Sequence, residues 1–351
     1  MSNETPLWIP SRDRVASAPL TAFAKAAADL NGGSFKSYSD LHRWSVENRA
    51  AFWSLVWDFC GVVGDKGERP LVDGERMPGA SFFPDARLNF AENLLRKSGA
   101  ETAIIFRGED KVERRLSWNE LRSLVSRLQQ LFLSLGVKPG DRIAAMMPNM
   151  PEATAGMLAA ASIGAVWSSC SPDFGEQGVL DRFGQIEPVL LIVPDGYWYN
   201  GKAIEVGPKI VAVAEKLISV RKVLVADYLG TSVEVAATVR SGEALERALA
   251  PFAPEALRFE RLPFAHPLYI LYSSGTTGVP KCIVHSAGGT LLQHLKEHRL
   301  HSGIVDGDRL FYFTTCGWMM WNWLVSGLAS GATLLLYDGS PFYPDGNALF
   351  D

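Results

Sequence analysis

The sequence is poor in the residues that most directly announce a specialised chemistry. Only four cysteines occur in 351 residues, Cys60, Cys170, Cys282 and Cys316, and no two form a Cys-x-x-Cys pair. That spacing argues against a disulfide framework or a zinc ribbon and fits a reducing compartment, so a cytoplasmic location is expected. No apolar run reaches the roughly 18 residues a bilayer-spanning helix needs. The opening MSNETPLWIPSRDR has no apolar core and does not read as a signal peptide. Neither sign of charge dominates: 34 basic residues stand against 38 acidic ones, a formal net charge of −4. Such a balance offers no bulk attraction to nucleic acid or to an anionic membrane, and neither is expected as a partner. Two phosphate-binding signatures are also missing. A Walker A loop needs Gly, four residues and then Gly-Lys-Ser/Thr, but Pro280 stands five residues after Gly275 and Cys282 follows Lys281. No Gly-x-Gly-x-x-Gly fingerprint supports a dinucleotide. Internal repeats and low-complexity segments are absent.

What remains is 47% apolar and 21% charged, the balance of a globular protein with a sizeable core. The length suits one large domain or two to three ordinary ones. Residues 1–100 form a Trp-rich leader in which Leu41, Trp44, Phe52, Leu55 and Phe59 follow helical spacing, interrupted at Asn48. From residue 101 the pattern becomes strand–helix–strand. TAIIF and KVERRLSW flank the turn RGED. Ser117 and Glu120 make a capping box ahead of a helix that Gly136 can close. DRIAAMMP, a helix from Pro151 to Gly164, AVWSSC, PVLLIV, a helix over 208–218 and KVLVAD continue the alternation. This spacing predicts an α/β fold with a mostly parallel sheet covered on both faces, and ligands at the carboxyl ends of its strands.

The most informative stretch is 268–281, LYILYSSGTTGVPK. A buried-strand candidate ends in Ser273, Ser274, Gly275, Thr276, Thr277 and Gly278. The glycines admit positive φ and close approach of the main chain. Successive backbone N–H groups make an anion nest, the hydroxyls add donors, and Lys281 adds a mobile positive charge. A polyphosphate uses all of these at once, with roughly 1.5–3 kcal/mol from each hydrogen bond to a charged group. The alternative is a solvent loop, since Ser, Thr and Gly are ordinary turn residues. The preceding strand and the closing Pro-Lys favour the phosphate reading.

YSSGTTGVPK resembles the phosphate-binding motif of the adenylate-forming superfamily over ten consecutive positions, with Cys282 where many members have glycine. Residues 136–174 resemble that superfamily's helix–strand segment ahead of the substrate pocket. The leader with SFFPDARLNFAENLL is similar to the N-terminal extension of the acetyl-CoA and acetoacetyl-CoA synthetase branch. Residues 311–341, with Gly317-Trp318-Met319-Met320-Trp321, are similar to the acetoacetyl-CoA-forming members rather than the acetyl-CoA-forming ones, which read Gly-Trp-Val-Thr-Gly. The resemblance implies an AMP-forming acid–thiol ligase. Its implied substrates are acetoacetate, ATP and CoA, and Mg²⁺ is implied beside the phosphates. An acetyl- or propionyl-CoA ligase and a non-catalytic nucleotide-binding module are the alternatives. It further implies that residues 1–100 are the extension and 101–351 the first part of the AMP-binding domain. Ser273, Ser274, Gly275, Thr276, Thr277, Gly278 and Lys281 would hold the β- and γ-phosphates, with Lys281 the catalytic cation. Trp318, Met319 and Met320 would line the acyl pocket, although residues 318–323 at helical spacing also fit core packing. His285, four residues after Lys281, is placed to touch nucleotide or acyl group, or to pack. The chain stops at PDGNALFD, where the resemblance implies that a second sheet, begun by strands at 309–315 and 333–337, is incomplete and that a small C-terminal domain would follow.

Three weaker signals remain. His294, His298 and His301 share one helical face, yet no acidic or cysteine ligand accompanies them, and a solvated polar face is expected. Asp173 and Phe174 follow a strand end and read equally as turn or binding residues. Arg221 and Lys222 are the basic pair before the strand at 223–227.

Overall fold

The computed structural model describes residues 7–273 and 278–350. The strands that position the site are β1 (Thr102–Gly108), β2 (Val112–Ser117), β3 (Arg142–Met146), β4 (Val166–Cys170), β5 (Leu190–Pro194), β6 (Lys222–Ala226), β7 (Gly242–Ala244), β8 (Pro267–Ser273), β9 (Lys281–Ser286), β10 (Arg309–Phe311) and β11 (Thr333–Asp338). The helices used below are α1 (Tyr38–Glu47), α2 (Arg49–Phe59), α3 (Trp118–Ser134), α4 (Pro151–Ser162), α5 (Ala287–Leu295) and α6 (Met319–Ser326).

Seven strands form the large sheet in the order β7-β6-β5-β3-β4-β8-β9. All neighbours are parallel except the last pair, where β9 returns antiparallel beside β8. Every residue of β4 and β5 is buried, as expected of strands covered on both faces. The order reverses around β3, which leaves a crevice at the carboxyl ends of β3 and β4. β8 lies next to and parallel with β4, so its last residue, Ser273, lies at that same edge.

The hairpin 102–117 departs from the simple alternation read in the sequence. β1 and β2 do not join the large sheet. They pair antiparallel with each other and, through β1, parallel with β11, in a second sheet of order β10-β11-β1-β2. Strand character is a local property, whereas the choice of sheet depends on residues more than 200 positions away. The strand expected over 309–315 is also shorter, Arg309–Phe311, and its outer edge has no partner strand among the described residues.

α4 is buried along all twelve residues and packs against α3 and β4. Small side chains make this possible: a Cβ on Gly156 would lie 3.0 Å from the ring of Trp167. The acidic Glu152 of α4 is held by both terminal nitrogens of Arg114, at 3.1 and 2.6 Å. The capping box at Ser117 and Glu120 is formed, and Gly136 and Gly164 take positive φ after α3 and α4.

The leader's apolar stripe runs over two helices instead of one. At Asn48 the backbone leaves helical geometry (φ −118°, ψ 49°), which re-aims α2 relative to α1. Leu41 and Trp44 are buried, and Phe52, Leu55 and Phe59 pack partly buried against the core. The leader is tied down by a small sheet of Gly64–Asp65, Arg87–Leu88 and Leu262–Pro263. Buried Asn89 donates from its amide to the carbonyls of Ala161, Ser162 and Glu260 at 2.9–3.1 Å, satisfying the end of α4.

Candidate active site

β8 and β9 form a hairpin whose register places Ser273 opposite Lys281. The predicted phosphate contacts Ser274, Gly275, Thr276 and Thr277 lie outside the described residues. Gly278 follows them at φ +86°, with nothing within 4 Å of the place a Cβ would occupy. Its backbone is therefore open to a close ligand. Lys281 is exposed and has no carboxylate partner among the described residues. Gln185 braces the exit by donating to the carbonyl of Pro280 at 2.8 Å.

Beyond Lys281, β9 runs into α5, and a cleft of about 680 Å³ opens along it. One wall is a single helical face, Ser286, Gly289, Thr290, Gln293, His294 and Glu297, with Val284 and His285 at the strand end. The facing wall is Met319, Met320 and Trp323 of α6. By helical rise the α5 wall extends for roughly 16 Å from Ser286 to Glu297. Lys281 precedes His285 by about 13 Å of extended strand. Of the residues proposed from sequence for the acyl group, His285, Met319 and Met320 thus meet in one cleft. Trp318 is not among its lining residues. It sits at the N-cap of α6 and is 66% exposed.

The loop before α6 is anchored to the sheet crevice. Ser169 of β4 donates to the carbonyl of Cys316 at 2.7 Å, and the Cys316 thiol donates to the carbonyl of Pro148, just after β3. The α6 helix is fixed by the indole N–H of buried Trp321, which donates to Asn149 Oδ1 at 3.0 Å. The backbone N–H of Asn149 in turn donates to Asp338 at the end of β11. Met319, Met320 and Trp323 therefore stand on a helix held by both sheets.

Lys281 lies toward the strand end of the cleft. At the far end burial raises the pKa of Glu297, but hydrogen bonds from Lys296 (2.6 Å) and Gln293 (3.2 Å) outweigh it and hold the carboxyl below its usual range. Burial lowers His285 as well, and lowers His294 to about 3. Both are neutral at physiological pH.

The histidine series is the clearest correction. His294 and His298 are not on a solvated face: they are 6% and 0% exposed, and only His301 of the three faces solvent. The helix widens into a π-helical turn at Lys296–His301, a geometry frequent at functional sites, which turns His298 inward onto Trp323 with ring centroids 4.4 Å apart. Burial lowers His298 to about 4. No group of three or more His, Cys, Asp or Glu side chains among the described residues is arranged for a metal ion. Asp173 lies in an exposed turn.

Sequence reasoning missed Ser286, Gly289, Thr290, Gln293, Glu297 and Trp323. A signal was available: polar and small residues recur along one face of an otherwise apolar helix in AGGTLLQHLKEH. A second cleft of about 330 Å³ shares Ser286, Gly289 and Gln293 with the first and is closed by Trp53 and Phe82 of the leader.

Comparisons with known proteins bear on this site. The family model described as AMP-binding enzyme matches residues 90–351, and the one described as acetyl-coenzyme A synthetase N-terminus matches 38–94. Acetoacetyl-coenzyme A synthetase of Rhizobium meliloti (strain 1021) is 64% identical over 351 residues, all of this chain and 54% of that protein. Acetoacetyl-CoA synthetase of Macaca fascicularis is 44% identical over 356 residues, 98% of this chain and 52% of that protein. The solved structure of acetoacetyl-CoA synthetase from Streptomyces lividans is similar with a TM-score of 0.91 at 43% identity, covering 98% of this chain and 53% of that one. The chain spans about half the length of the curated relatives it matches.

Proposed function

This chain belongs to the AMP-binding enzyme family, and from that premise we propose that its protein is an acetoacetate–CoA ligase. In the first step a carboxylate oxygen of acetoacetate attacks the α-phosphorus of ATP, and diphosphate leaves. In the second the CoA sulfur attacks the acyl carbon, and AMP leaves. The sum is ATP + acetoacetate + CoA to AMP + diphosphate + acetoacetyl-CoA. Residues 1–100 are taken as the extension of this enzyme type and 101–351 as the first part of its AMP-binding domain, acting in the cytoplasm.

One observation carries the reading: a cleft lined by His285, Met319 and Met320 continues directly from the strand that begins at Lys281. The first step needs alignment and charge neutralisation more than acid–base chemistry. Ser273 to Gly278 would hold the β- and γ-phosphates by backbone and hydroxyl donors, and Lys281 would neutralise charge developing on the departing diphosphate. The acid would lie between Met319 and Met320 on one side and His285 on the other, with Trp318 at the rim. Pliable Met side chains shape themselves to a short acyl chain. Mg²⁺ would be held by the nucleotide's phosphates, since no group of three or more His, Cys, Asp or Glu side chains among the described residues is arranged for it.

The test is ATP–diphosphate exchange by the complete gene product with acetoacetate, propionate and acetate. Acetoacetate is expected to give the highest kcat/KM. Preference for acetate or propionate would make it a ligase of the other branch, and no exchange with any acid would leave nucleotide binding alone.

A further inference from the structure

An acyl cleft built for a plain hydrocarbon chain has no use for polar groups at depth, yet this one contains them. His294 lines the cleft at 6% exposure, and its Nδ1 lies 2.8 Å from Ser326 Oγ. Ser326 also reaches the carbonyl of Asn322 at 2.8 Å. Behind this pair the Tyr269 hydroxyl is fully buried and within hydrogen-bonding reach of the Ser326 and Asn322 side chains. The Nε2 of His294, by contrast, has no hydrogen-bond partner among the described residues, although the ring lines the cleft. A polar ligand atom at this part of the wall would satisfy it.

Building on the ligase reading, we propose that His294, positioned by Ser326, recognises the oxygen on the third carbon of the acyl acid and so separates a 3-oxo acid from the fatty acid of the same length. In the ligase reading the nucleotide's phosphates lie toward Lys281, so the carboxylate that attacks them faces the strand end and the tail points along α5. His294 lines the same cleft as His285, Thr290, Met319 and Met320, and it meets the third-carbon oxygen when the acid lies between these side chains. The hydrogen-bond chemistry is suited to a carbonyl. Serine is both donor and acceptor, so the Nδ1···Oγ contact is satisfied by either neutral tautomer. When Ser326 turns its hydrogen from the Asn322 carbonyl to Nδ1, Nε2 carries the ring proton and donates it to the substrate oxygen. Burial keeps the ring neutral, so it offers this bond without drawing the carboxylate into the wrong end.

The experiment compares acetoacetate with butyrate, which has the same four carbons without the oxygen, in the complete gene product. For His294→Leu the ratio of kcat/KM for acetoacetate to that for butyrate is expected to fall about tenfold or more, because a polar substrate atom loses its partner. His294→Gln, which keeps an N–H donor, is expected to recover part of the ratio. Ser326→Ala is expected to lower it less and mainly through KM. Retained butyrate activity shows that the variants are folded. An unchanged ratio, or equal loss with both acids, overturns the proposal. A wild-type enzyme that prefers acetate sinks the acetoacetate assignment on which the proposal rests, and that result is read before any variant is made.

Discussion

Asp338 offers a prediction whose size follows from the structure. Its carboxyl closes β11 in the interior, 9% exposed, with the Asn149 N–H at 3.2 Å and the Tyr228 hydroxyl at 3.3 Å. Burial raises its pKa from 3.8 to about 7; those two hydrogen bonds oppose the shift, and the nearby Glu109 and Asp173 carboxylates add to it. The folded protein thus holds a proton that the unfolded chain releases near pH 4. Below pH 4 both states are protonated and there is no penalty. As the pH rises from 4 to 7 the unfolded chain ionises first, so stability is lost, and the loss levels off above 7. The difference between 3.8 and about 7 corresponds to about 4 kcal/mol. Asp338→Asn keeps the shape and an acceptor for the Asn149 N–H but cannot ionise. Urea unfolding of wild type and variant at pH 4.5, 6, 7 and 8 is the assay. The variant is expected to gain steadily on wild type across that range, by up to about 4 kcal/mol at pH 8. A difference that stays flat with pH, or a variant that is the weaker protein at pH 8, would refute the reasoning. The consequence reaches the cleft, because Asn149 joins Asp338 to Trp321 and thus to α6.

Three further outcomes are expected. Lys281→Ala should slow ATP–diphosphate exchange about tenfold to a hundredfold, the worth of one charge-assisted contact, with little change in melting temperature since the residue is exposed; an unchanged rate removes Lys281 from the phosphate site. Trp321→Phe should destabilise by about 1–3 kcal/mol in denaturant titration, because the buried Asn149 Oδ1 loses its donor, and an unshifted midpoint counts against that anchor. Gly288→Ala should destabilise by about 1–3 kcal/mol, since its Cβ would lie 2.2 Å from the ring of Phe264; a thermal melt that matches wild type would show that α5 seats more loosely than described.

The parts of the molecule legible in its sequence are those governed by local rules. β5 announces itself as an apolar run, α3 by its capping box, and α4 by Pro151 and Gly164. Each depends on the propensities and hydrogen-bonding capacity of neighbours in the chain, and so does the resemblance that named the chemistry. The cleft beyond Lys281 was only partly legible. His285 was identified by its nearness to Lys281, and Met319 and Met320 by the resemblance of residues 311–341, whereas Gln293, Glu297 and Trp323 line the cleft because two helices face each other. Pairing of β1 with β11, the turn of His298 into the interior and the raised pKa of Asp338 likewise depend on contacts between distant segments. Sequence by itself determined which segments are strands and helices, because those follow from short-range sterics and hydrogen bonding. Tertiary structure alone decided which side chains share a cavity and which titratable groups are cut off from water, because burial belongs to the packed assembly and no residue carries it alone.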